Sequence, residues 1–406
     1  MAEHTVIGWD IGGAHVKACL LQQGRVVDVA QWACPLWQGI EHLERALQSA
    51  RERWPAAAQA RHAVTMTGEM VDLFEHREAG VQRIAALLCD AWPAPSTVQF
   101  FAGDKGWCGR DRVGRLWEHI ASANWLATAQ HASRELGEGV LVDIGSTTTD
   151  VIAFKGGRVV THARSDVERL ATGELVYQGV VRTPLCALAH QIPWQGKSLN
   201  VMNEYFATVA DVYRLTGELD PAHDLYPSAD NAPKDLPATR KRLARMIGMD
   251  ARDATDAEWL VFAHAWRAAQ VAELGEQLRG VMALHAMSAD AVVVSAGCGD
   301  FLVSDVLAHS AICPAPGRPK PGSASCQRQL AFVPSKSTQV DLEPRHSAPW
   351  GQERSDWGAD RPSRACRSYG ADLARLAPHA SADAATWAQV CAPSVAVAML
   401  LDMELR

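Results

Sequence analysis

The chain has 406 residues, enough for about two domains on a prior of roughly 100–200 residues each. Hydrophobic content of 48% and charged content of 21% sit near globular averages, which excludes wholesale disorder and a membrane-embedded chain. With a net charge of −7 and no block of Lys and Arg able to neutralise a phosphate backbone, nucleic acid is excluded as a partner.

The chain enters a core strand within a few residues. It shows no basic head and no small-residue cleavage site, so a signal peptide is not expected and a cytoplasmic location is. The ten cysteines have no CxxC spacing and lie mostly in apolar contexts such as Cys19, Cys89 and Cys186. They read as reduced, buried thiols, with no structural zinc site among them.

Residues 6–21 alternate an apolar run, a turn and a second apolar run around Asp10-Ile11-Gly12-Gly13. An amphipathic helix follows over residues 40–54, with Ile40, Leu43, Leu47 and Ala50 on one face. A short strand at 62–66 then runs into Thr67-Gly68-Glu69-Met70-Val71-Asp72. Strand ends of α/β sheets are where ligands bind, which makes Glu69 and Asp72 candidate bases or metal ligands; acidic residues of a helix cap are the alternative. A helix over 81–92, a strand over 98–101, the turn Gly103-Asp104-Lys105-Gly106 and a helix opening near Ser122 complete the first part.

The stretch 140–154 then repeats the beginning. Two apolar runs flank Asp143-Ile144-Gly145-Ser146-Thr147-Thr148-Thr149-Asp150, a turn with four consecutive hydroxyl side chains. In both copies a Gly-Arg-Val-Val follows at a matching distance, at Gly24 and at Gly157. Two copies this far apart indicate a duplicated domain and not a solenoid. A glycine turn of this kind lets backbone N–H groups approach a ligand and suits a phosphate with its metal ion; a plain hairpin satisfying its own backbone is the alternative.

Beyond the repeat the chain becomes helical. Arg182 precedes Thr183-Pro184 and can clamp a phosphate or carboxylate, or else form a surface ion pair. Residues 203–215 read as an amphipathic helix carrying Asn203, Glu204 and Asp211 on or beside its apolar face, and 259–287 as one long or kinked helix. A buried strand over 291–296 ends in Ser295-Ala296-Gly297-Cys298-Gly299, without the spacing of a dinucleotide fingerprint or a P-loop. Eight of the twenty prolines then fall between Pro314 and Pro362, where apolar periodicity disappears. That stretch reads as a loop, linker or insert, and a local frame error in the gene reading would produce the same abrupt change. An apolar helix over 384–403 restores order. The expected organisation is a first lobe over 1–136, a second with a helical insertion over 137–311, an irregular segment over 312–368, and a C-terminal helix, within 369–406, docking back on a lobe.

Two Asp-Ile-Gly hairpins in duplicated lobes, followed by a strand ending in Ser-Ala-Gly-Cys-Gly, resemble the actin, sugar kinase and Hsp70 superfamily. The resemblance implies an α/β fold of two duplicated actin/ribonuclease H-like lobes with a ligand cleft between them. Within that superfamily, Asp10-Ile-Gly-Gly-Ala-His-Val-Lys17, Arg182-Thr-Pro-Leu-Cys-Ala-Leu, Asn203-Glu-Tyr-Phe-Ala-Thr and the Ser295 turn look like the hydantoinase/oxoprolinase-related proteins of tetrahydromethanopterin-linked C1 transfer. Val16 and Lys17 stand where true hydantoinases favour Thr and Asp, which argues against amide hydrolysis.

What the resemblance implies is a transferase of methanofuran-type cofactor biosynthesis, joining an aminomethylfuran-methanol diphosphate to a tyramine- or tyrosine-type phenol with release of diphosphate. Mg²⁺ would be held by Asp10 and Asp143, and phosphates by Gly12, Gly13, Gly145, Ser146, Thr147 and Thr148, with Ser295, Gly297 and Gly299 near the rest of the ligand. Arg182 and Asn203 would contact substrate, and Lys17 would add positive charge. The base for the phenol is expected among Glu69, Asp72, Asp104 and His15. An ATP-dependent kinase or ATPase using the same cleft is the second expectation, and a nucleotide-responsive interaction protein the third. Expected partners are small molecules bearing a diphosphate, with no membrane; a homodimer is compatible with the sequence.

Overall fold

The computed structural model describes residues 5–312 and 365–406. Three strands open the chain, β1 (Thr5–Ile11), β2 (His15–Gln22) and β3 (Arg25–Ala33). They are followed by α1 (Glu41–Arg53), β4 (Arg61–Met66), α2 (Arg77–Ala91), β5 (Thr97–Phe101), β6 (Trp107–Cys108), α3 (Arg110–Ile120) and α4 (Asn124–Leu136). The second copy begins with β7 (Gly139–Ile144), β8 (Thr149–Lys155) and β9 (Arg158–Val159), then α5 (Asp166–Thr172), β10 (Leu175–Val176), α6 (Leu185–Leu188), β11 (Gln191–Trp194) and β12 (Lys197–Asn200). α7 (Val209–Thr216), α8 (Leu236–Arg245), α9 (Asp256–Leu284), β13 (Val292–Ala296) and α10 (Val303–Ile312) complete that part. β14 (Cys366–Ser368), α11 (Ala384–Val390) and α12 (Ala392–Leu405) end the chain.

The strands form two main sheets. One has the order β3-β2-β1-β4-β5-β6; the other runs β10-β8-β7-β13-β14, with β9 pairing β8. In the first, β1 is antiparallel to β2 and parallel to β4, which is parallel to β5. In the second, β7 is antiparallel to β8 and parallel to β13, which is parallel to β14. The same four-strand arrangement is thus built twice, as the duplicated α/β lobes expected from the sequence. The copies diverge at the third strand. β3 pairs with β2 along its length, whereas β9 is two residues long and shares the same edge of β8 with β10, which pairs at its other end.

The central strands are buried on both faces, which suits their continuous Val, Ile and Leu runs. α1, α2 and α3 pack on the outer face of the first sheet and α7, α9 and α10 on that of the second. A third core lies between the sheets, where α4 packs on the second, α12 on the first, and each on the other. Among the described residues no single helix is long and apolar enough to cross a membrane. The bent pair α11 and α12 passes together on length and composition, but α12 is buried in that central core.

Three expectations change. The single apolar helix expected over 384–403 is broken at Cys391 into α11 and α12, bent by 95°. Residues 203–207 are not helical: α7 begins at Val209 because Thr208 caps it, with the Asp211 side chain returning to the Thr208 N–H. Asp211 is buried and ion-paired with Arg214 and Arg242, so it is structural. The irregular segment expected over 312–368 falls outside the described residues except at its ends, where β14 adds an edge strand that no sequence periodicity announced.

Gly8 is where α12 meets β1. A Cβ there would lie 2.0 Å from Ser394 O and 2.8 Å from Ala398 Cβ. Gly8→Ala is therefore expected to lower the unfolding free energy by about 2–3 kcal/mol, read as a lower urea midpoint. An unchanged midpoint would contradict this packing.

Candidate functional site

The two hairpin turns are built alike. β1 ends and Gly12 N–H bonds back to His15 O at 2.9 Å; β7 ends and Gly145 N–H bonds back to Thr148 O at 2.8 Å. The next N–H groups, on Gly13 and Ser146, are not used in closing the turns. Gly13 is required by space, since a Cβ would meet Val71 Cγ1 at 2.7 Å. The second turn is braced from behind, where Val180 N–H bonds to Gly145 O and the Val181 and Arg182 N–H groups to Ser146 O.

The turns line one cleft of about 290 Å³, together with Asp10, His15, Lys17, Trp37, Met70, Asp143, Ser146, Thr147, Thr148, Asp150, Asp166, Arg169, Tyr177 and Arg182. Register fixes the charge pattern. Asp10 sits opposite Lys17 across the first hairpin, and at the same place in the second Asp143 sits opposite Asp150. Burial raises the Asp143 pKa to about 7, with Asp150 and Asp10 adding to it against Lys17. Burial likewise raises Asp10 to about 6, opposed by Lys17. Burial opposes the Lys17 charge, but Asp10, Cys391 and Asp143 outweigh it and hold the ammonium; Nζ donates to Val390 O at 3.0 Å.

Asp10 Oδ1 is buried with no hydrogen-bond partner. A buried carboxylate pair short of protein cations fits a divalent cation. Among the described residues no group of three or more His, Cys, Asp or Glu could hold an ion by protein donors alone. Mg²⁺ is typically bound by one or two carboxylates with phosphate and water completing its shell, and Asp10 with Asp143 match that donor set.

Between the lobes runs a polar chain. Ser122 Oγ donates to Glu69 Oε1 at 2.8 Å and lies 3.1 Å from Asp166 Oδ2. Arg77 bonds to Ser122 Oγ at 3.0 Å. Arg169 bridges Asp166, at 2.9 Å, and Asp150. Asp166 is the first residue of α5, directly after the Ser165 N-cap, whose capping box is closed by Glu168. Ser122 has a φ of 50°, left-handed for a non-glycine residue.

Of the residues singled out from sequence, Asp10, Gly12, Gly13, His15, Lys17, Asp143, Gly145, Ser146, Thr147, Thr148 and Arg182 meet in this cleft. Glu69 lies just behind its wall, buried, with its carboxyl pushed above the usual range by burial against the Ser122 hydrogen bond. Asp72 and Asn203 are exposed and do not line the cleft. Asp104 pairs with Arg164 at 2.9 Å and lines a separate cavity of about 480 Å³. Ser295, Gly297 and Gly299 pack behind Asp143. Gln389 bonds to Ser295, Gly297 N–H to Gln389 O, and a Cβ on Gly297 would lie 2.6 Å from Asp143 Oδ1. They position the carboxylate and do not line the cleft. Sequence reasoning missed Asp150 as the counterpart of Lys17 in the second hairpin, opposite Asp143, which aligning the two hairpins position by position reveals. It also missed Ser122, Asp166, Arg169, Trp37 and Tyr177, whose places depend on contacts between distant segments.

The hydantoinase/oxoprolinase family model matches residues 61–325. The chain is 29% identical over 260 residues, 64% of its own length and 76% of the relative's, to the (4-{4-[2-(gamma-L-glutamylamino)ethyl]phenoxymethyl}furan-2-yl)methanamine synthase of Methanocaldococcus jannaschii. It is 27% identical over 170 residues, 42% of its length and 75% of the relative's, to the synthase of the same name from Methanococcus vannielii. Solved structures similar to it include a nucleotide-free acetone carboxylase, with 11% identity, a TM-score of 0.46, and coverage of 75% of this chain and 67% of that one. A ROK family glucokinase from Streptomyces griseus with glucose and AMPPNP has 15% identity, a TM-score of 0.39, and coverage of 76% and 88%.

Arg169 neutralises Asp150 in a buried setting, so Arg169→Met leaves an uncompensated carboxyl and is expected to cost about 3–5 kcal/mol. Asp150 already titrates above its ordinary value, through burial, against Arg169. Losing the arginine raises it further, and a carboxyl whose folded pKa exceeds its unfolded one loses stabilisation as pH rises. The deficit in urea unfolding should therefore grow from about pH 5 to about pH 8, and Asp150→Asn in the same chain should recover most of it. A small, pH-independent deficit would contradict the pairing.

Proposed function

The chain belongs to the hydantoinase/oxoprolinase family, and we propose that it is a transferase of methanofuran-type cofactor biosynthesis that joins a furan-methyl diphosphate to a phenol, forming an aryl ether and releasing diphosphate. The observation that carries this assignment is the identity with two curated synthases whose printed product is a phenoxymethyl-furan amine. The cytoplasm is the compartment proposed with it.

The cleft is suited to the departure of diphosphate from a furan-methylene carbon. The Gly13 and Ser146 N–H groups and the Ser146, Thr147 and Thr148 hydroxyls offer donors to phosphate oxygens. Asp10 and Asp143 would hold Mg²⁺, which when bound supplies positive charge against the leaving diphosphate. Lys17 keeps a proton at Nζ within the field of both carboxylates, limiting the negative charge a diphosphate would meet. The glycine turn after β13 is filled by Gln389 and packed on Ile144, which supports a ligand without an adenosine over a nucleotide at this place.

The deciding assay supplies a furan-methyl diphosphate, a tyramine-type phenol and Mg²⁺ without ATP. Diphosphate release in step with ether formation is expected, and Asp143→Asn should lower kcat/KM by about 10²–10³-fold. Phosphate release that requires ATP would overturn the assignment in favour of a kinase or ATPase.

A further inference from the structure

Ether formation needs the phenol to dock beside the diphosphate and to lose its proton, and of the bases expected from sequence one, on the first hairpin, lines the cleft. His15 is 7% exposed, lines the cleft, and its Nε2 is buried with no hydrogen-bond partner. Its ring meets Tyr226 edge-on, with centroids 5.4 Å apart; Tyr226 lies 5.4 Å from Trp37, and the Arg182 guanidinium stands 5.3 Å over the Trp37 ring. The Tyr226 hydroxyl is fixed on Ala14 O, beside His15 in the turn. Trp37 and Tyr177 are large apolar side chains left exposed at this cleft. A polar atom buried without a partner is costly, and exposed aromatic faces at a cleft are where a ring docks.

Resting on the transferase assignment above, we propose that Trp37, Arg182 and His15 form the subsite for the aryl acceptor, and that His15 Nε2 takes the phenol proton. In the step, the phenol O–H bond breaks and its proton moves to Nε2. The phenolic oxygen bonds to the furan-methylene carbon, and the carbon–oxygen bond to diphosphate breaks with its electron pair leaving on the diphosphate. The imidazolium then returns the proton to solvent.

The charges facing His15 bear on this step, and the donor alters them. Burial, then Lys17 on its own strand, then Arg182 and His223 from the second lobe lower the His15 pKa to about 3. A diphosphate offsets Lys17 and Arg182 and so shifts the ring toward greater basicity, against the burial that still opposes its charge. Tyr226, the other titratable group against the ring, is pushed up to about 12, by burial first, and stays neutral.

The test uses the full chain with a furan-methyl diphosphate and two acceptors, an ordinary phenol and one acidic enough to be ionised at neutral pH. With the ordinary phenol, His15→Gln should lower kcat by about 10²–10⁴-fold while the donor KM stays within about threefold. With the ionised phenol, which needs no base, the loss should be less than about tenfold. Trp37→Ala should raise the KM of both phenols and leave that of the donor unchanged. Unaltered binding of inorganic diphosphate with Mg²⁺ by His15→Gln checks that the turn is intact. Equal loss with both phenols, an altered diphosphate affinity, or no loss at all overturns the proposal. A wild-type chain that forms no ether with either phenol overturns the transferase assignment itself, and the proposal with it.

Discussion

The structure is organised around a surplus of buried negative charge at the seam between two lobes. Asp10, Asp143 and Asp150 stand on the two hairpins, and the cations beside them are Lys17 and Arg169. Removing carboxylates from water costs several kcal/mol each unless cations and hydrogen bonds compensate. Arg169 compensates Asp150 directly. Lys17 faces Asp10 and Asp143 while its hydrogen bond goes to Val390 O, so that pair is left short. Burial pushes those carboxyls up to about 6 and 7 against the pull of Lys17, and the cation proposed for this place would relieve it.

The rest of the fold maintains that place. Gly8 lets α12 lie directly on β1, and Gly297 and Gly299 let the end of β13 crowd against Ile144 and Asp143. α4 and α12 cross between the sheets and share one apolar core, so the hairpins are fixed by the same packed layer. At the rim, the Glu69–Ser122–Asp166–Arg169 chain ties the wall of one lobe to the charge of the other. The duplication supplied the symmetric frame, and within it the two copies differ at the cleft. Lys17 opposes Asp10 where Asp150 opposes Asp143, and His15 occupies the position of Thr148.

Much of this was legible in the chain because its signals are local. Apolar runs flanking Asp-Ile-Gly declare a strand, a turn and a strand, and their repetition declares two lobes. The cleft residues of both turns followed, since a hairpin fixes where its own turn points. The acids Asp72 and Asp104 looked equivalent to Glu69 on the same grounds, but the chain turns after β4 and β5 left them at other surfaces. Asn203 was drawn in by helical periodicity, which the Thr208 cap cut short. Ser122 gave no signal at all. It meets Glu69 and Asp166 through tertiary packing across 53 and 44 residues of chain, where neither period nor spacing carries information.

The central claim is that facing hairpins and two carboxylates from different lobes make one site for a diphosphate with its cation. Its most direct test is anomalous diffraction from crystals soaked with Mn²⁺ and inorganic diphosphate. The account predicts a single strong peak between the Asp10 and Asp143 carboxylates, with diphosphate density against the Gly13 and Ser146 N–H groups. A peak elsewhere, or diphosphate bound without metal and away from both turns, would contradict it.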